Sequence, residues 1–125
     1  MFTTLLSVAL GGAIGASARY LVSVGTMRLM GPGFPWGTLA VNIVGSFLMG
    51  VLIVVLAHKG GIRMAPFLVT GVLGGFTTFS AFSLDAITLF ERGATGQAAA
   101  YVAASVVLSL AAIMLAMALA RGILQ

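Results

Sequence analysis

The stretch Gly71-Val72-Leu73-Gly74-Gly75-Phe76-Thr77-Thr78-Phe79-Ser80-Ala81-Phe82-Ser83 sets glycines, hydroxyls and three phenylalanines in the middle of an apolar span. The surrounding run, roughly 66–90, is long enough to cross a bilayer, so a helix interrupted here would leave backbone groups unpaired within lipid. Each such group costs several kcal/mol unless protein, an ion or a water-lined cavity satisfies it. The pattern therefore predicts a broken helix, and the break implies an ion site.

Composition supports the membrane setting. Of 125 residues, 61% are hydrophobic and only 6% charged, a balance that a soluble surface of this size does not tolerate. There is no cysteine, which excludes a disulfide framework and a thiolate metal site. The net charge of +4 rests on few residues and reads as loop anchoring, not as a nucleic-acid surface.

Dividing the chain at its polar and Gly/Pro clusters leaves four apolar stretches, roughly 3–24, 37–57, 66–90 and 97–120. Each is close to the ~20 residues that a membrane helix requires. The fold expected is an all-α membrane protein, one transmembrane domain over residues 1–125 with four helices, the third broken. Gly31-Pro32-Gly33-Phe34-Pro35-Trp36 supplies turn chemistry and an indole suited to the headgroup level. Pro66 suits the first turn of the third helix, and Glu91-Arg92-Gly93 closes it. A cleaved leader is the competing reading of the first stretch, since Ala16-Ser17-Ala18 has the small-x-small form of a cleavage site. The absence of Lys or Arg ahead of the apolar run argues against it.

With both termini on one side, Lys59, Arg63 and Arg121 face one compartment, and Arg19, Arg28 and Arg92 the other. A positive-inside bias that cancels does not choose an orientation, so copies are expected to insert both ways and meet as an antiparallel, dual-topology pair. The competing reading is a weak bias resolved through the first helix or through Arg19.

Small residues recur four apart at Gly11/Gly15, Gly12/Ala16, Ser46/Gly50 and Gly71/Gly75, spacing that lets helix backbones approach. Four helices make a thin bundle, so an enclosed pathway would need a second subunit to complete it. Polar residues also keep a helical spacing. Thr38, Asn42 and Ser46 run with Gly50 along one face of the second helix, and Gln97, Tyr101, Ser105 and Ser109 repeat that spacing on the fourth. Intramembrane polar groups face a bundle interior or a cavity, and two parallel stripes describe a track. The competing reading for any hydroxyl is a bond to its own helix carbonyl. Asn42 is the strongest member, because a helix cannot absorb both amide donors.

The track lacks the carboxylate rings of a cation pore, since Asp85 and Glu91 are the only acids in the chain. Amide and hydroxyl hydrogens and the positive edges of aromatic rings suit a small anion instead. Phe79 and Phe82 lie on neighbouring faces of one helical turn.

Gly37-Thr38-Leu39-Ala40-Val41-Asn42-Ile43-Val44-Gly45-Ser46-Phe47, the run Gly74 to Ser83, and the N-terminal glycines before Arg19-Tyr20 together resemble the Fluc (CrcB) fluoride channels. The resemblance covers essentially the whole chain. It implies an antiparallel homodimer in the inner (plasma) membrane that encloses two pores and exports fluoride passively. By similarity, Phe79 and Phe82 present ring edges to fluoride and Asn42 donates hydrogen bonds, with Thr38, Tyr101, Ser105 and Ser109 in the polar track. It also implies a structural sodium ion at the dimer centre on the backbone carbonyls of Gly74 and Thr77, no organic cofactor, and a vestibule or structural role for Arg19.

Two positions depart from that pattern: Ala81 replaces the usual Thr, and Asp85 stands where Glu is common. A small dual-topology multidrug exporter is the alternative architecture, but its chemistry needs a carboxylate in the first helix, and residues 3–24 contain none. A structural membrane protein would leave the polar stripes unexplained. Enzymatic function is not expected, because the only histidine, His58, sits in a basic loop.

Overall fold

The computed structural model describes residues 1–125, and its only regular elements are helices. Helix α1 spans Phe2–Met30 and α2 Trp36–Lys59. After a short turn at Ile62–Met64, a segment over Pro66–Leu73 winds in a wider register, in which the Gly74 N–H reaches the Val69 carbonyl. One further turn, α3, covers Gly74–Phe76, followed by α4 over Phe79–Glu91 and α5 over Thr95–Leu124. Four spans, Phe2–Met30, Trp36–Lys59, Ile62–Glu91 and Thr95–Leu124, are long and apolar enough to cross a membrane. The chain is a multi-pass membrane protein.

The helices outrun the apolar stretches that announce them. Helix α1 continues past residue 24 to Met30 because loss of apolarity does not end a helix, whereas the Gly31-Pro32 pair does. Thr26 turns its hydroxyl back to the Val22 carbonyl, and Arg28 sits in the last turn, where a cation favours the helix dipole. Gly31, Gly60 and Gly93 adopt positive φ at the three connections, a conformation that costs other residues a Cβ clash.

Glycine decides where the helices meet. Gly11 and Gly15 of α1 are buried against the Phe67–Phe76 backbone, and Gly71 and Gly75 face α1 in return. A methyl on Gly75 would lie 2.7 Å from the Gly12 carbonyl oxygen, and one on Gly15 would strike the Val72 carbonyl and sit 2.8 Å from the Phe76 nitrogen. Gly50 does the same for α2 against α5, where a methyl would stand 2.7 Å from the Ile113 oxygen. With no hydrophobic drive between helices in lipid, such close backbone packing holds the bundle together.

The core is small. Leu39, Leu89, Ala98 and Tyr101 form its buried cluster, with Phe34 and Phe82 packed against it. Most large apolar side chains, including Leu10, Ile14, Ile87, Phe90, Leu110 and Met114, are exposed, as expected where lipid or a second chain is the solvent.

Between α3 and α4 the chain leaves helical geometry. Thr77 (φ −86°, ψ 159°) and Thr78 (φ −154°, ψ 123°) are extended. Thr78 caps α4, its hydroxyl oxygen accepting from the Ala81 N–H at 3.1 Å. Gly45 of α2 makes room for this step, since a Cβ there would collide with the Thr77 methyl.

Gly12 and Gly15 offer an internal comparison within one helix. Gly15→Ala should destabilise the protein by about 1–3 kcal/mol through overpacking. Gly12→Ala, whose added methyl meets nothing within 4 Å, should change stability by less than about 0.5 kcal/mol. Thermal unfolding in detergent followed by circular dichroism checks both.

Candidate functional site

The extended step at Thr77–Thr78 alters the pairing of carbonyls that a continuous helix would have satisfied, among them those of Gly74, Gly75 and Thr77. The Thr78 N–H, which would have reached Gly74, donates instead to Asn42 Oδ1 at 2.8 Å. Asn42 Nδ2 donates to the Thr78 carbonyl at 2.9 Å. The asparagine amide thus pairs with both polar groups of Thr78, as a neighbouring strand would. Arg19 Nε donates to the Gly75 carbonyl at 3.0 Å. The helical donor to the Thr77 carbonyl, the Ala81 N–H, is occupied by the Thr78 hydroxyl. The carbonyls of Gly74 and Thr77 are therefore deprived of their helical donors.

A cavity of about 340 Å³ opens beside this step, between α2, α4 and α5. Asn42, Ser46, Thr77, Thr78, Phe79, Phe82, Ser105 and Ser109 line it, with Val106 and Leu110 completing the wall. The Ser105 and Ser109 hydroxyls are buried and have no hydrogen-bond partner. Back-bonding to their own helix, the ordinary fate of a membrane serine, does not occur for either. By contrast, Thr77 Oγ1 returns to the Leu73 carbonyl at 2.9 Å and Ser83 Oγ to the Phe79 carbonyl at 3.0 Å.

The two rings stand 5.5 Å apart between centroids, tilted by 47°. Phe82 is half-buried, while Phe79 is 79% exposed, so one side of the cavity has no wall from this chain. Phe82 continues to Tyr101 at 5.3 Å. Tyr101 is fully buried, and its hydroxyl donates to Asp85 Oδ2 at 3.2 Å.

The residues expected in one track are distributed over three places. Asn42, Phe79, Phe82, Ser105 and Ser109 share the cavity. Thr38 lines a second cavity of about 220 Å³ with Ser23, Thr26, Phe34, Trp36 and Asp85. Tyr101 joins the two, touching Phe82 on one side and Asp85 on the other. Gln97, at the start of the same α5 stripe, is exposed. Arg19 stands apart, committed to the Gly75 carbonyl. Thr78 was not singled out by sequence, although a Thr ahead of a helical run is an N-cap signal. No cluster of three or more His, Cys, Asp or Glu occurs, so a cation here would depend on neutral backbone or side-chain oxygen.

The family described as "CrcB-like protein, Camphor Resistance (CrcB)" matches residues 6–117. The chain belongs to the CrcB family. Similar proteins include one from Cereibacter sphaeroides, 72% identical over 98% of each chain, and one from Ruegeria sp., 64% identical over 99% of each. Another from Agrobacterium fabrum is 63% identical over 93% of this chain and 94% of its own. All three are named fluoride-specific ion channel FluC. The family resemblance read from the glycine, asparagine and phenylalanine motifs is thereby established, and these CrcB relatives are ion channels, not enzymes.

Side chains of this CrcB protein that satisfy backbone should separate from those that do not. Asn42→Asp places an acceptor against the Thr78 carbonyl and should cost about 1–3 kcal/mol, the penalty of an unmet buried hydrogen bond. Ser105→Ala removes a hydroxyl with no partner and should leave stability unchanged or raised. Melting temperatures of both variants in one detergent give the comparison.

Proposed function

We propose that this CrcB protein is the subunit of a passive, fluoride-selective channel that relieves fluoride accumulation in the cytoplasm. The observation that carries the reading is the pair of buried, unpartnered hydroxyls, Ser105 and Ser109, in one cavity with Phe79 and Phe82. The names of the relatives at 72% and 64% identity support fluoride as the ion.

Burying a bare anion costs tens of kcal/mol by Born estimates, so no single weak donor suffices. Serine O–H groups free of internal partners, the Asn42 N–H not given to Thr78 and the edges of Phe79 and Phe82 together replace hydration. A narrow passage between ring edges favours the smaller halide, which is the basis of selectivity over chloride. Movement follows the electrochemical gradient. Fluoride enters cells as its neutral acid and ionises inside, so a leak for the anion lowers the internal level.

The missing wall beside Phe79 supports a second copy of the chain as the other side of each pore. The even split of basic residues, Lys59, Arg63 and Arg121 against Arg19, Arg28 and Arg92, supports an antiparallel arrangement in the plasma membrane. Two-fold symmetry then yields two pores. The interrupted third span has a further use in this reading. Deprived of helical donors, the Gly74 and Thr77 carbonyls are hard-cation ligands, and Gly74 is exposed on its helix. These residues would hold a structural sodium ion between the two subunits, where it supplies positive charge to otherwise unpaired carbonyl oxygen.

Purified protein in liposomes should release fluoride under a potassium–valinomycin potential while chloride release stays near background. Comparable rates for the two ions would overturn the selectivity claim. Phe79→Ile and Phe82→Ile should each slow fluoride flux by roughly tenfold, about 1.4 kcal/mol of barrier, without dispersing the assembly. The chain has no native cysteine, so Ile62→Cys, at an exposed position in the Lys59 connection that leaves the charge balance unaltered, can be labelled selectively. Impermeant maleimide should react from both sides of the membrane, and one-sided labelling would exclude dual topology.

A further inference from the structure

The five residues Gly31-Pro32-Gly33-Phe34-Pro35 between α1 and α2 carry one large apolar side chain, and it points inward. Phe34 meets Tyr101 edge-on at 5.5 Å and Trp36 at 4.6 Å. With Phe79, Phe82 and Tyr101, the rings form an unbroken line from the serine cavity to the end of the bundle.

Phe34 also borders two neighbouring spaces. One is the cavity of about 220 Å³ that holds Thr38, and the other, of about 230 Å³, is lined by Thr88 and Arg92. Met27, Phe34, Pro35 and Asp85 contribute to both. The backbone bonds of the loop are local: the Gly31 N–H goes to Met27, and the Trp36 N–H to Phe34. Its one hydrogen bond to a distant element comes from Arg92 at the end of α4, whose Nη2 donates to the Gly33 carbonyl at 2.9 Å.

We propose that Arg92 is a positioning residue for permeation, tying down the loop at Gly33 so that Phe34 is seated on Tyr101 and covers the end of the polar track. The assignment rests on the channel reading above. An anion that leaves the Phe82–Tyr101 contact meets the Thr38–Asp85 space, whose wall includes the Phe34 ring seated on Tyr101. A loop of two glycines and two prolines has few internal bonds to hold that ring, so the guanidinium supplies the restraint. Neither Arg92 nor Phe34 lines the serine cavity.

The single tryptophan of the chain gives a readout independent of current, because Trp36 packs on Phe34 and is 43% exposed. The full-length protein is reconstituted in planar bilayers for single-channel fluoride current and in vesicles for Trp36 emission and acrylamide quenching. Arg92→Ala should red-shift Trp36, increase its quenching, and raise the current by about twofold or more, the scale of one lost aromatic edge contact. Phe34→Ala, which keeps the Arg92 charge, should raise the current in the same direction. Arg92→Lys should restore part of both signals by returning a donor, and Phe34→Leu, which keeps apolar bulk, should fall between Phe34→Ala and the unaltered protein.

A lower current in Arg92→Ala, with Phe34→Ala unchanged, would mean that Arg92 acts only by attracting anions, and the assignment falls. A shifted Trp36 signal with unchanged current would show a latch that does not govern permeation, and it falls again. Absence of fluoride current in the unaltered protein would overturn the channel reading and this assignment together, whereas normal current with inert variants overturns the latch alone.

Discussion

Everything around the centre of this molecule depends on the amide of Asn42 meeting the peptide of Thr78. Lipid offers no hydrogen bonds, so an extended step in a membrane span persists only when protein supplies both a donor and an acceptor. Asn42 does so with bonds of 2.8 and 2.9 Å. Few side chains can: an Asp lacks the N–H, a Ser lacks the reach, and an amide matches a peptide group for group. The Thr78 hydroxyl then begins the next helix by capping Ala81, so that one residue ends an irregular step and starts a regular one.

That pairing requires proximity, and glycine provides it. Gly45 lies one turn from Asn42 on α2 and accepts the Thr77 methyl, while Gly11 and Gly15 hold the preceding segment against α1. The extended residues are therefore clamped from α1 and from α2 at once, with Arg19 adding a charged bond to Gly75. The orientation of the α4 start, and with it the direction of Phe79 and Phe82, follows from this clamp. Ring placement here is a consequence of backbone satisfaction more than of ring packing, since Phe79 has little against it.

Much of this was legible in the sequence, for physical reasons that vary by residue. Four apolar runs announce four spans because the bilayer fixes their length, yet the helices run past them where polar residues such as Thr26 and Arg28 remain helical. Asn42 stood out as an amide in lipid, but its partner did not, because a contact across 36 positions leaves no local trace. Ser105 and Ser109 followed from spacing, whereas their freedom from back-bonding depends on rotamer and helix rotation. Thr38 keeps the same spacing as Asn42 and still lies in another cavity, because the Tyr101 ring comes between the two spaces. A periodicity specifies a face, and a face can serve more than one compartment.

The freed carbonyls show how one irregularity can serve two ions in the proposed reading. Leaving helical geometry releases carbonyl oxygens on one side of the chain and starts a new helix on the other. Arg19 removes the Gly75 oxygen from that set, and the Thr78 N–H passes to Asn42, so Gly74 loses its donor without gaining another from the helix. Negative oxygen thus collects on the glycine side, suited to a cation, while the capped α4 start carries Phe79 and Phe82 toward the serine hydroxyls, suited to an anion. An unbroken helix could present neither surface, because its carbonyls would be paired internally and its phenylalanines would sit at a different angle to α5. The break and the clamp that satisfies it are therefore one requirement: without Asn42 the step is too costly for lipid, and without the step the two proposed ions would have no separate ligands.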